Sequence, residues 1–281
     1  YMKNNFISEL DGVVIATGDD FPDALSGSTP SILYGAPVIL ISAKSQASQD
    51  KAMYFMENHL AESGGVVLLG GKNAVPLEFE NRVYEMINNP YRPGTFMERL
   101  SGKNRYDTNL QVLKKIGYIG DIILICDGTN YADAATASAT GIPVMLVGKS
   151  GLTADQKDFL SDNGPLFIYV VGGKNAVTEE VFNQLKPYAK FGEPERIAGK
   201  NRAETAVELA RMFYSSSEGP DTVVFAYGKN FPDCIAGGLL ANELGAPILY
   251  GDDGSSPSYT NANTAYIQGN KKIGKAFVLG G

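Results

Sequence analysis

The feature that most limits how this chain can fold is that it repeats itself at long range. VVLLGGKNAV at 66–75 returns as IYVVGGKNAV at 168–177, and FVLGG at 277–281 starts it again. RLSGKNRYDT at 99–108 returns as RIAGKNRAET at 196–205, a shift of 97 positions. A third phrase occurs three times, as GDDFPDAL at 18–25, DGTNYADAA at 127–135 and GKNFPDCI at 228–235, so that Asp23, Asp133 and Asp233 stand 110 and 100 positions apart. A solenoid repeat is roughly 20 to 50 residues long, so a unit of this size is a small domain. The chain is read as three tandem repeats, 1–98, 99–195 and 196–281. The first lacks its opening and the third its end, and flanking residues are expected in the intact protein.

Each repeat alternates helix and strand. VVIAT, PVILI and VVLL in the first, IILIC, PVMLV and FIYVV in the second, and TVVFA, PILY and AFVL in the third are short runs bounded by Gly, Pro and Asp. Runs that are apolar throughout suit parallel strands covered on both faces. Between them lies helical spacing: Ala206, Leu209, Ala210 and Phe213 fall at i, i+3, i+4 and i+7, and Leu110, Leu113 and Ile116 follow a similar stripe. The pattern predicts α/β domains with parallel sheets. From the motif aspartate to the next strand's proline is 14 positions in the outer repeats (Asp23 to Pro37, Asp233 to Pro247) but 10 in the middle one (Asp133 to Pro143). The difference is about one turn at roughly 3.6 residues per turn, which marks the segment as helix. Pro30 is expected to kink or end the first copy.

Composition narrows the function classes. A hydrophobic content of 44% with 20% charged residues is that of a folded globular chain, and a net charge of −7 advertises neither a nucleic-acid nor an anionic-membrane partner. The longest apolar stretch, ILYGAPVILI at 32–41, is interrupted by Gly35 and Pro37 and falls well short of the roughly 20 residues of a spanning helix, so no membrane insertion is expected. Cys126 and Cys234 occupy non-equivalent places and do not read as a disulfide framework.

A function built into every repeat must use residues that recur. His59, in MYFMENHLAES, has no counterpart and reads as a partly exposed helix residue. No HxxxH, CxxC or GxSxG occurs, so neither a metal nor a catalytic residue is assigned, and no cofactor is expected. GIPVMLVGKS at 141–150 has six residues between Gly141 and Gly148 where a phosphate loop needs four. The glycine pairs at 70–71, 172–173 and 280–281 follow strands without a GxGxxG, and fit a tight strand-to-helix turn.

What recurs is polar. Arg99, Lys103, Asn104 and Arg105 return as Arg196, Lys200, Asn201 and Arg202, and Lys72 with Asn73 returns as Lys174 with Asn175. Placed in glycine-containing loops before helices, where free N–H groups and the helix dipole favour anions, these residues fit a phosphate or carboxylate site. The same arginines also fit a structural role, paired to the motif aspartates. Asp23, Asp133 and Asp233 carry two readings as well. Pro at the first helical position and Asp in the first turn stabilise a helix start by themselves. The loop also sits at the carboxyl end of a strand, where open α/β sheets bind ligands. A catalytic carboxylate fits less well, because no second acid recurs.

Taken together, R(L/I)(S/A)GxxR, a strand running into FPDAL, APVIL, and a strand running into GGxxAV resemble the cell wall binding repeat 2 family of clostridial and related surface proteins, over nearly the whole chain. The resemblance implies three Rossmann- or Toprim-like repeats in a pseudo-threefold arrangement. It implies a non-enzymatic, extracellular module that attaches a surface or S-layer protein to an anionic, teichoic-acid-like cell-wall glycopolymer, with other S-layer proteins as further partners. The alternative is part of a wall hydrolase such as an N-acetylmuramoyl-L-alanine amidase. YADAA in place of FPDAL, and the short helix after it, are the main departures.

Overall fold

In a computed structural model, which describes residues 9–90, 94–117, 120–215, 219–252, 254 and 256–280, the chain forms three parallel sheets covered by helices. It divides into two compact units, residues 1–112 and 113–281. The first unit holds β1 (Leu10–Thr17), α1 (Pro22–Leu33), β2 (Val38–Ile41), α2 (Gln46–His59), β3 (Leu60–Leu69), α3 (Leu77–Ile87) and β4 (Met97–Leu100). Its strand order is β2-β1-β3-β4, and every pair is parallel. β1 and β3 are apolar on both faces because helices lie over both. On one face Phe79 and Val83 of α3, spaced i and i+4, close over Ile15 and Leu68, all fully buried. Burying a side chain such as Phe79 is worth about 2 to 3 kcal/mol.

α4 (Arg105–Ile116) begins in the first unit, and the second unit starts within it. There follow β5 (Ile122–Asp127), α5 (Ala132–Ser138), β6 (Val144–Val147), α6 (Ala154–Asn163), β7 (Phe167–Val171), α7 (Glu179–Leu185) and β8 (Glu195–Ile197), in the order β6-β5-β7-β8. The third sheet uses β9 (Thr222–Tyr227), β10 (Ile248–Gly251) and β11 (Lys275–Val278), ordered β10-β9-β11. Its helices are α8 (Arg202–Phe213), α9 (Pro232–Ala236), α10 (Gly238–Glu243) and α11 (Pro257–Gly269). The alternation and the parallel sheets are those the sequence predicts.

Three details depart from the sequence reading. MERL and ERI form edge strands β4 and β8, although they are too short and charged to read as strands, so Arg99 and Arg196 lie on strands rather than in loops. Pro30 does not end α1, which runs on to Leu33. The third copy of that helix is broken instead, into α9 and α10 at Gly237, where a Cβ would fall 2.0 Å from Leu279 Cδ1.

The one-turn deletion in α5 has a physical counterpart. The helix ends at Ala139, whose carbonyl accepts hydrogen bonds from Tyr214 Oη (3.1 Å) and Asn242 Nδ2 (3.3 Å) of the third repeat. Tyr250 Oη likewise reaches Ala132 O at 2.6 Å. The small residues of α5 let these partners approach, and at the carboxyl end Tyr214 and Asn242 satisfy the Ala139 carbonyl, which has no donor within the helix.

Candidate functional site

In a sheet ordered 2-1-3-4 the chain reverses its direction of progress between strands 1 and 3, and a crevice opens there at the carboxyl ends. Such crevices are present here. The first, of about 730 Å³, is lined by the FPDAL start, the GGKNA turn after β3 and the GKNR turn after β4. The second, of about 490 Å³, is built from the same three segments after β5, β7 and β8. A third, of about 400 Å³, lies at Asp233, Gly251 and Gly280; no Lys or Arg is among its described lining residues.

The motif aspartate and the glycine pair explain one another. Gly70, Gly172 and Gly280 have φ of 97°, 113° and 95°, a region that strains any side chain. A Cβ on them would fall 2.2, 2.5 and 2.4 Å from Oδ2 of Asp23, Asp133 and Asp233. The carboxyl is thus wedged against the turn, in space that only a glycine leaves. Gly281, the last of the paired glycines, lies outside the described residues.

Arg99 and Arg196 are each engaged by the glycine turn that precedes their strand. Arg99 donates from Nη1 to Gly70 O (2.7 Å), and from Nη2 to Val75 O (3.0 Å) and Glu80 Oε2 (2.8 Å). Arg196 Nη1 spans Gly172 O (2.9 Å) and Val177 O (3.0 Å), Nη2 meets Glu179 (3.2 Å), and the guanidinium lies over the Phe182 ring at 5.1 Å. Each clamps the edge strand to the glycine turn. Neither is among the residues that line the first or second cleft, and the partners described above are that turn and a glutamate, not the motif aspartates.

The asparagines of the GKNR turns are helix caps. Asn104 Oδ1 accepts from the N–H groups of Tyr106 (3.0 Å) and Asp107 (3.1 Å), and Asn201 Oδ1 from those of Ala203 and Glu204, both 3.0 Å. Lys103 N and Lys200 N donate to Asp107 Oδ2 (2.8 Å) and Glu204 Oε2 (2.9 Å). The N–H groups of Lys103, Tyr106 and Asp107, and of Lys200, Ala203 and Glu204, are therefore occupied, which leaves the cationic side chains as the main source of positive potential.

Those side chains converge. Lys72, Lys103 and Arg105 line the first cleft with Asn73, Asn104 and Asp23, and Lys174, Lys200 and Arg202 line the second with Asn175, Asn201 and Asp133. The sequence reading missed Lys44 and Lys149, which line the same clefts from beyond the ends of β2 and β6. Their signal was present: PVILISAK and PVMLVGK both place a lysine just past the strand. Each cleft thus presents four cations, facing three carboxylates in the first (Asp19, Asp20, Asp23) and two in the second (Asp127, Asp133).

The two aspartates differ in surroundings. Burial raises the Asp23 carboxyl above its ordinary value, opposed by a hydrogen bond from Thr108 and by Arg105, with Asp20 adding to the rise. Burial raises Asp133 further, to about 6, opposed by Arg202 and reinforced by Asp127. Arg105 lies over the Phe21 ring at 5.5 Å and 4.0 Å from Asp20 Oδ2. Arg202 lies over Tyr131 at 5.3 Å and donates from Nη1 to Tyr131 Oη (2.8 Å) and Gly228 O (2.5 Å), which joins the second cleft to the third sheet. His59 ends α2, edge-on to Phe55 at 4.8 Å. Cys126 and Cys234 are free and buried, and burial pushes both thiols up. Among the described residues no group of three or more His, Cys, Asp or Glu is placed to hold a metal ion, and no helix is long and apolar enough to cross a membrane.

Residues 1–80, 99–182 and 196–281 each match the profile of the family described as Cell wall binding domain 2 (CWB2). Among curated proteins, the chain is 29% identical over 246 residues to N-acetylmuramoyl-L-alanine amidase LytC of Bacillus subtilis, across 85% of this chain and 45% of that protein. It is 25% identical over 259 residues to the Amidase enhancer of the same organism, across 90% and 33%. Among solved structures it resembles Cwp8 from Clostridium difficile (TM-score 0.83, 24% identity, 99% of this chain and 46% of that one). Cwp6 from the same organism gives a TM-score of 0.80 at 22% identity, over 97% and 42%. At these identities the structures show a shared fold, and the chain spans less than half the length of each relative.

Proposed function

Because the chain belongs to the Cell wall binding domain 2 family, we propose that it is a non-enzymatic anchoring module that holds a surface or S-layer protein to the cell wall by gripping an anionic, teichoic-acid-like polysaccharide in its two cationic clefts. The observation that carries this reading is the convergence of four cations from three loops at the switch point of two different sheets, in a chain whose net charge is −7. Concentrating positive charge in concave sites focuses the field on an approaching polyanion, while the acidic remainder discourages indiscriminate binding. A catalytic role, as part of a wall hydrolase, draws support from the amidase among the relatives, but less than half of that protein is shared. Neither buried thiol can serve as an accessible nucleophile.

The test is capture of purified wall polymer by the 281-residue chain before and after chemical removal of its phosphate groups. Salt-sensitive capture that is lost with the phosphate is expected. Equal capture of both forms contradicts the anionic reading, and release of amino groups or reducing ends from peptidoglycan would establish the catalytic one.

A further inference from the structure

The second cleft contains an ionisable group in an unusual position. The Asp133 carboxyl is wedged against the Gly172 turn, at the floor of a cleft whose rim is cationic. From β5 it is faced by Asp127 and the fully buried Cys126 thiol, from β10 by the buried Tyr250 hydroxyl, and from the start of α8 by Arg202. Lys149 after β6, Lys174 after β7 and Lys200 before α8 complete the rim. Asp127 is already occupied, its two oxygens accepting from Thr129 N (2.8 Å) and Thr129 Oγ1 (2.7 Å). The first cleft has no such arrangement, because Thr17 stands in place of Asp127 and Thr108 donates to Asp23.

We infer that the second cleft takes up a proton on Asp133 together with its anion, so that its hold on an anionic polymer tightens as the surroundings become acidic. This rests on the reading that the cleft binds an anion. With Asp133 ionised, the four cations face two carboxylates; with Asp133 protonated, they face one. An anion held among the lysines loses the repulsion of that carboxylate, and a unit-charge interaction near the lower, well-hydrated end of the range for close pairs changes affinity about tenfold. By linkage the bound anion must draw the proton onto Asp133 by the same factor. Burial already places the Asp133 carboxyl at about 6, so the exchange falls between neutral and mildly acidic pH. Burial keeps the Cys126 thiol and the Tyr250 hydroxyl protonated across this range, so neither contributes.

The experiment uses poly(glycerol phosphate), whose phosphodiester charge is constant across this range, and the 281-residue chain carrying Lys72→Gln and Lys103→Gln to silence the first cleft. Calorimetry in buffers of different ionisation heat reads affinity and proton uptake together. The expected result is binding about tenfold tighter at pH 5 than at pH 8, with net proton uptake near pH 6 to 7. Adding Asp133→Asn should abolish the uptake and give, at pH 8, the tight affinity otherwise seen at pH 5. Binding without proton uptake overturns the inference, as does an Asp133→Asn protein that is folded and binds more weakly at every pH. Absence of binding at any pH, with or without Asp133→Asn, overturns the anion-site reading itself.

Discussion

The first and second clefts share a backbone and differ at a few side chains. Both set an aspartate against a left-handed glycine, clamp an edge strand with an arginine, cap the following helix with asparagine and raise four cations at the rim. Where the first has Thr17 and Phe21, the second has Asp127 and Tyr131. Phe21 offers Arg105 only a ring face, whereas Tyr131 adds a hydroxyl that fixes Arg202. The difference separates the residues that recur and shape the crevice from those that vary between its two copies.

Breaking the shared frame should have the largest effect. Gly70→Ala or Gly172→Ala forces a side chain into positive φ and against the aspartate carboxyl, and should cost about 3 to 4 kcal/mol in denaturant unfolding of the affected repeat. Their neighbours provide the control, since a Cβ at Gly71 or Gly173 meets nothing within 4 Å, and alanine there should leave stability nearly unchanged.

The aspartates sharpen the contrast between the clefts. Because the Asp133 carboxyl is raised to about 6 in the fold, above its unfolded value, the folded state disfavours its charge; stability should rise as pH falls through 6 towards 4. Asp133→Asn should therefore be more stable than the parent at pH 7, by about 2 to 3 kcal/mol at most, and lose that pH dependence. Asp23→Asn should act with the same sign and less strongly, because Thr108 and Arg105 already oppose the burial of Asp23. Thermal melts between pH 4 and 8 would show either.

The next effect divides clamp from rim. Arg99→Ala leaves Glu80 and the carbonyls of Gly70 and Val75 without their donor and should cost about 2 kcal/mol of stability. Polymer affinity measured below the unfolding transition should be unchanged, because Arg99 does not line the cleft.

Much of this was legible in the sequence because the repeat reports on itself. The nine runs named as strands each overlap one of nine strands to within a residue or two at their ends or lie inside it, and the ten-against-fourteen spacing after the aspartate located the shortened α5. β4 and β8 were not legible, since MERL and ERI have neither length nor apolar character; they exist because the parallel edge of β3 or β7 pairs with them and an arginine clamps them. For the same reason the carbonyl contacts of Arg99 were not legible, since a guanidinium that binds carbonyls and one that binds phosphate are spelled alike. Lys44 and Lys149 escaped because the spacings past their strands differ, so they do not align as a motif. The clustering of three separate loops into one cleft is a property of sheet order, which short motifs do not encode.

The most direct test of the central claim is equilibrium binding of purified, phosphate-bearing wall polymer to the chain carrying Lys103→Ala and Lys200→Ala, one lysine from the rim of each cleft. Both residues are exposed, so the fold and its melting temperature should be unaltered. Affinity should fall by about tenfold or more and depend less steeply on salt, since fewer counterions are displaced from the polymer. Unchanged affinity and salt dependence in the folded double variant would contradict the claim.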